Sequence, residues 1–240
     1  LMAHDVSDSS LEELQRYWFG HDWIYDPALD EDELRKARAT EMMRHAKFDS
    51  YEEVDEASFQ GEVFESRWVD QERQVGIRSR IACKDFRTGP TDETHFAATP
   101  DSIVLNVFLH KAASNKKLCM MAIDVESAFL QPRLEEEERF GVRPPKDVRV
   151  PGKIWKMRVP LYGWRKASAR YQDHQSEIME EDGFLTCGVE TTVRRSPQRD
   201  VDTVTHGDDT LALGERENLL NFEEFMRKNF VCHSTGLVGA

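Results

Sequence analysis

Eight residues, Leu118-Cys119-Met120-Met121-Ala122-Ile123-Asp124-Val125, do most to constrain what this chain can become. The run is far too short to cross a bilayer and has the length of a buried strand. It is apolar at every position except Asp124, and an acid is an awkward residue for a core. Two explanations fit: Asp124 ends the strand in solvent, or it holds a cation. A second acid-bearing pattern lies about eighty residues on. Val201-Asp202-Thr203-Val204-Thr205 leads through His206-Gly207-Asp208-Asp209 into Thr210-Leu211-Ala212-Leu213. That pattern reads as strand, tight turn, strand, with Gly207 giving the turn its backbone freedom.

The remainder of the chain places these two patterns in an α+β fold. At 240 residues the chain is one large domain or two small ones, long enough to bury a core. Asp30 to Lys47 reads as a helix with Leu34, Ala37, Met42 and Met43 as its apolar face, and Ser10 to Leu14 as an earlier capped helix start. Val63–Val69 and Gly76–Lys84 alternate as strands, the second carrying Arg78, Arg80 and Lys84 on one face. Those three cations suit either a phosphate grip or a solvated strand face. Thr99-Pro100-Asp101 opens a helix to about Ser114, with Ile103, Val107 and His110 at helical spacing and Leu105 and Leu109 on the adjacent stripe. Glu135 to Glu138 reads as a solvated turn, and Lys153 to Val159 as a strand. Lys166 to Asp182 is a helix stopped by Gly183, and Glu215 to Asn229 is the last amphipathic helix. The expected arrangement is a sheet with helices on one face.

Charge and cysteine usage narrow the function classes. The net charge is −13, and residues 1–75 hold 20 acids against 8 bases. The other residues are balanced, so nucleic acid would have to be bound through a local groove and not by bulk charge. Cys83, Cys119, Cys187 and Cys232 are widely spaced with no CxxC, which excludes a zinc ribbon and points to a reducing compartment. No HExxH and no GxSxG occurs, so zinc-protease and serine-hydrolase chemistry have no support. The N-terminus lacks the basic start of a signal peptide, and a chain starting on Leu1 before Met2 reads as a fragment or an imperfect gene model.

Adjacent aspartates at a hairpin tip repel, and each raises the other's pKa unless a cation neutralises them. A hard divalent ion with oxygen ligands is the natural partner. With Asp124 at a neighbouring strand end, the three carboxylates suit two Mg²⁺ ions about 3.5–4 Å apart, the spacing used for in-line phosphoryl displacement.

In this order and at these spacings the chain resembles the reverse transcriptase of copia-type retrotransposons over about residues 35–240. Arg67-Trp68-Val69 resembles the family's Lys-Trp-Val. Arg78-Ser79-Arg80-Ile81-Ala82-Cys83-Lys84-Asp85-Phe86 resembles Lys-Ala-Arg-Leu-Val-Ala-Lys-Gly-Phe, and His95-Phe96-Ala97-Ala98-Thr99-Pro100 follows where Thr-Phe-Ala-Pro is expected. Ile123-Asp124-Val125-Glu126-Ser127-Ala128-Phe129-Leu130 is close to Met-Asp-Val-Lys-Thr-Ala-Phe-Leu. Leu161-Tyr162-Gly163 matches a Leu-Tyr-Gly block, and Val204-Thr205-His206-Gly207-Asp208-Asp209 stands in place of Tyr-Val-Asp-Asp.

The resemblance implies a right-hand palm-and-fingers polymerase: a helical lead-in at 1–60, fingers at 61–117 and a ferredoxin-like palm at 118–240. It implies that Asp124, Asp208 and Asp209 bind two catalytic Mg²⁺ ions, with Mn²⁺ as a substitute. Arg78 and Arg80 would grip the incoming dNTP, with Lys84 nearby. Phe129 would be the steric gate against a ribose 2′-hydroxyl, and Tyr162 and Gly163 would contact nucleotide or template. The partners implied are an RNA or DNA template with its primer, a dNTP, and the rest of a Pol polyprotein carrying integrase and RNase H. No membrane is involved, and the setting is cytoplasmic, within retrotransposon particles.

Departures from the family pattern are His206 for Tyr, Gly207 for Val, Lys166 for Gln and Ser168 for Pro. Thumb and RNase H would lie beyond Ala240. A chain without a thumb also fits a second reading, a truncated or decayed palm-fold relic that binds nucleic acid weakly. Gly-Asp-Asp occurs in viral RNA-dependent RNA polymerases too, but those carry Asp where this chain has Phe129, and a bulky aromatic favours dNTP use.

Overall fold

The computed structural model describes residues 29–86 and 98–239. The expected helix start at Ser10–Leu14 and half of the His95–Pro100 block (His95, Phe96 and Ala97) lie outside the described residues. The fold is α+β, with four α-helices and two sheets among those residues. None of the helices is long and apolar enough to cross a membrane. The chain divides into two compact units, each discontinuous in sequence.

The first unit holds the described residues of Leu1–Phe86 together with Leu134–Trp164. Helix α1 (Glu31–Lys47) starts at Asp30, whose carboxylate accepts from the backbone N–H groups of Asp32 and Glu33. Acids fill its first turn and bases its last, matching the helix dipole. Strands β1 (Tyr51–Asp55), β2 (Val63–Glu72), β3 (Ile77–Cys83), β5 (Gly141–Arg143) and β6 (Lys153–Met157) form a sheet in the order β1-β6-β5-β2-β3. Only β2 and β5 run parallel.

Two expectations change here. The buried face of α1 is Leu34, Glu41 and His45, while Met43 is exposed. The helical period is as expected and Leu34 is buried, with Ala37 and Met42 half-buried, but a polar cluster of Glu41 and His45 joins that face. Glu41 accepts from Arg44 at 3.0 Å and from the Ile81 backbone N–H, and His45 Nδ1 lies 2.7 Å from Ser50 Oγ. Residues 31–60 are also not set apart: α1 packs on β3, and β1 pairs with β6 over five residues. The compact units are bounded after Phe86, Arg133 and Trp164.

The second unit holds the described residues of Arg87–Arg133 and Arg165–Ala240. Its sheet is antiparallel throughout, in the order β11-β4-β10-β9-β8-β7. The strands are β4 (Leu118–Val125), β7 (Leu185–Thr186), β8 (Val193–Ser196), β9 (Val201–His206), β10 (Asp209–Glu215) and β11 (Cys232–Val238). Helix α2 (Ser102–Ser114) is N-capped by Asp101. Helix α3 (Ala167–Glu181) ends at Gly183, which has φ +86, and α4 (Arg216–Asn229) follows β10.

Alternation along β4 sorts the helices. Cys119, Met121, Ile123 and Val125 face the core built with α3 and α4, through Tyr171, Met179, Leu219, Phe222 and Met226. Leu118 and Met120 face the other way and pack with α2 through Phe108, Val104 and Leu105. The expectation of helices on one face is therefore corrected: α3 and α4 cover one face, and α2 covers part of the other. On α2 the stripe of Ile103 and Val107 is exposed, as is Leu109. This helix is apolar nearly all round, so spacing could not choose its buried side.

Candidate active site

The carboxylates sit where the uncovered end of this sheet face meets solvent. Asp209 opens β10 and lies directly opposite Asp124 on β4. Directly opposite residues of an antiparallel pair project to the same face, with Cβ atoms about 4.5–5.5 Å apart. Asp208 is in the turn between β9 and β10, and its carbonyl accepts from the Val125 N–H at 3.2 Å. Gly207 takes φ +63 with open space around its Cα, so this two-residue hairpin turn meets no steric resistance. All three aspartates are exposed.

The register extends this pair into a row of four. His233 on β11 lies opposite Asp124, and His206 on β9 lies opposite Asp209. Across the sheet the order is His233, Asp124, Asp209, His206. His233 Nε2 is also 3.6 Å from Glu126 Oε2. Partial burial, then the charges of Asp208 and Asp124, push the Asp209 carboxyl above its ordinary pKa, and His206 works against that shift.

The strand end that carries Asp124 is clamped. Gln131 Nε2 donates to the carbonyls of Glu126 and Val231, and Gln131 Oε1 accepts from the Val231 N–H. Between them Ser127 takes a left-handed φ of +51 and starts the 3₁₀ turn Ala128–Leu130. That turn holds Phe129 half-buried against the core. On the opposite face, α3 supplies Tyr171 and Gln175, both buried. Gln175 Nε2 donates to Thr210 Oγ1 at 3.1 Å, and Thr210 follows Asp209. Burial first, then the charge of Asp208, Cys232, Asp124 and Asp209, raises the Tyr171 pKa, so its phenol stays neutral. Sequence reading passed over Gln131, Tyr171, Gln175 and His233. The i, i+4 spacing of Tyr171 and Gln175 was a signal, but one that any buried helix face gives.

The donor set suits a hard divalent cation: three oxygen-bearing carboxylates, two in direct register, carrying mutual repulsion that a cation would relieve. Among the described residues no group of three or more His, Cys, Asp and Glu side chains is gathered as a ready-made ligand set. The carboxylates are thus neighbours by register without forming a cage.

The residues expected at the nucleotide, apart from Phe129 in the second unit, belong to the first unit. Arg78 is exposed and lies opposite Gln71, while Arg80 lies opposite Val69 and places its guanidinium 4.9 Å over the Tyr162 ring. Arg80 Nε is buried and has no hydrogen-bond partner among the described residues. Lys84 is half-buried just past β3, and its N–H donates to the Glu65 carbonyl. Tyr162 joins β3 through a bridge to Ala82, and its carbonyl accepts from the Cys83 N–H at 2.6 Å. Gly163 has φ +79, and a Cβ there would run into the Cys83 carbonyl oxygen. That close approach is by itself a structural reason for the glycine of the Leu-Tyr-Gly block.

No known protein-family model matches the chain.

Proposed function

We propose that this chain is the palm-and-fingers segment of a copia-type reverse transcriptase, an RNA-directed DNA polymerase. The registration of Asp124 against Asp209, with Asp208 bonded through its carbonyl to Val125, carries the reading. It brings acids some eighty residues apart to one open sheet end. The connectivity adds support: β4, α3, β9, β10, α4 and β11 run strand-helix-strand-strand-helix-strand, with β11 and β4 beside β10 and β9. That is the ferredoxin-like pattern expected of a palm. In this reading the second unit is the palm and the first the fingers.

Asp124, Asp208 and Asp209 would hold Mg²⁺, or Mn²⁺ in its place. Bound there, the ions supply charge that eases deprotonation of a primer 3′-hydroxyl and stabilises departing pyrophosphate. The residues of the chain do the positioning. The strand pairing β4–β10 fixes Asp124 and Asp209, and the Gln131 clamp fixes the turn that carries Phe129. A ring held there excludes a ribose 2′-hydroxyl, which selects dNTP over rNTP. Arg78, Arg80 and Lys84 offer charge for a triphosphate, and template, primer and neighbouring Pol segments complete the setting. The bond made is from the 3′-oxygen to the α-phosphorus, and the bond broken is the α–β anhydride.

Primer extension on poly(rA)/oligo(dT) with Mg²⁺ or Mn²⁺ tests this. The parent should extend, and Asp208→Asn/Asp209→Asn should lose activity by about 10³-fold or more. Equal extension by both would remove the acids from the mechanism. No extension by the parent would favour the relic that folds without polymerising.

A further inference from the structure

The first unit contains a cavity of about 670 Å³ that shares only Lys84 with the residues the polymerase reading assigns to the nucleotide. It lies among α1, β2, the end of β3 and the loop after β5; Lys84 lines it, while Arg78, Arg80 and Tyr162 do not. Its size is that of a small-molecule site. Five cations and three acids form its walls, a positive balance in a chain of net charge −13.

The acids already have partners. Asp70 is held by Arg38 at 2.7 Å and by the Ser79 hydroxyl at 2.6 Å. Asp147 accepts from the Trp68 indole N–H at 2.8 Å and pairs with Arg38 at 3.1 Å. Glu65 pairs with Arg149 at 2.8 Å. Arg67 and Lys146, by contrast, make no ion pair among the described residues, and both line the cavity. Both line one concave site, and an anion bound there would neutralise the two cations together. Arg38 also lies 5.1 Å over the Trp68 ring, so the wall behind them is braced.

We propose that this cavity binds a small phosphate monoester bearing hydroxyl groups. Arg67 and Lys146 take the phosphate, whose three terminal oxygens accept from several cations at once. The half-exposed carboxylates of Asp147 and Glu65 keep acceptor capacity for hydroxyls. The same carboxylates, with Asp70, disfavour a phosphodiester strand, which would lay successive negative charges along acid-bearing walls. The site is independent of metal and of the Asp124 row.

Isothermal titration of the full chain in EDTA, with ribose 5-phosphate as the probe, tests this. The expected result is saturable one-to-one binding, with free ribose at least tenfold weaker. Arg67→Ala/Lys146→Ala should weaken the phosphate ester at least tenfold, and Asp208→Asn/Asp209→Asn should leave it unchanged. Thermal melting checks the fold of the double variant, and Lys146→Gln alone, at an exposed side chain, serves if it fails. Absence of saturable binding by the parent, or parent-like affinity in both the Lys146 variant and the double variant, overturns the proposal. Tighter binding of a single-stranded oligonucleotide, lost in the same variants, overturns it as well and assigns the cavity to a strand.

Discussion

Asp209 and His45 show opposite consequences of placing a titratable group near other charges. Asp209 is held above its ordinary pKa, so its ionised form is disfavoured in the fold. Its contribution to stability is therefore unfavourable at neutral pH and improves as pH falls through the raised value. Asp209→Asn should stabilise the chelator-treated protein at pH 7, by only ~0.5 kcal/mol because solvent screens the site. Added Mg²⁺ should raise the melting temperature of the parent and not of the variant; an equal rise in both would place the ion elsewhere. His45 is buried, and that burial, followed by the charge of Arg44, lowers its pKa to about 4. Glu41 Oε1 is 3.7 Å from His45 Nε2, which would raise the value, but Glu41 is engaged by Arg44 and that spacing is no hydrogen bond. With the folded pKa below the unfolded one, stability is complete above about pH 6.5 and lost as pH falls toward 4. Urea denaturation should show ~2 kcal/mol lost between pH 7 and 5 on this account. His45→Gln should flatten that part of the profile; an unchanged slope would show that His45 does not carry it.

Two glycines at turns separate conformational need from steric need. Gly163 and Gly207 both have positive φ, but only Gly163 faces backbone at contact distance. Gly207→Ala should cost about 1 kcal/mol for the left-handed conformation alone. Gly163→Ala should cost on the order of 3 kcal/mol or more, because the Cys83 carbonyl belongs to β3 and cannot swing aside. Chemical denaturation of the two variants measures the difference, and similar losses would show that the approach of residues 162–163 to β3 relaxes cheaply. A loss of that size in Gly163→Ala would explain the residue without any contact to nucleotide. Burial of Cys83 pushes its thiol up to about 12, so it remains an inert neighbour there.

For the whole molecule, the discontinuous units make a prediction about cooperativity. Strand β1 pairs with β6, about a hundred residues later, and β2 pairs with β5. Native-state hydrogen exchange in rising denaturant should therefore group the amides of β1, β2 and β3 with those of β5 and β6. The amides of β4, β9, β10 and β11 should form another group. Exchange that joins β5 and β6 to β4, their nearer neighbour in sequence, would contradict the division. The acid excess of the first third is also locally answered in the fold: Arg158 pairs with Asp49 and Glu52, Arg143 with Glu56, and Lys153 with Asp55.

What the sequence determined by itself was local. Strand Leu118–Val125, the hairpin at Gly207-Asp208, the stop at Gly183 and the helix opening at Thr99-Pro100-Asp101 were legible, because each depends on residues within a few positions of one another. The three aspartates were legible as a set through their resemblance to a family block, and the register of Asp124 against Asp209, with Asp208 in the adjoining turn, is compatible with that set. The tertiary structure decided everything that depends on distant pairing. It chose the buried face of α2, which its own apolar periphery left open, and it buried Glu41 and His45 once Arg44, Ser50 and the Ile81 N–H were there to meet them. It returned residues 134–164 to the sheet of residues 51–83 and aligned His233 and His206 with the acids. It also left Arg67 and Lys146 at a cavity without ion pairs among the described residues. Local propensity carries no information on which strand will stand beside which, and register between strands is set by the packing of whole faces.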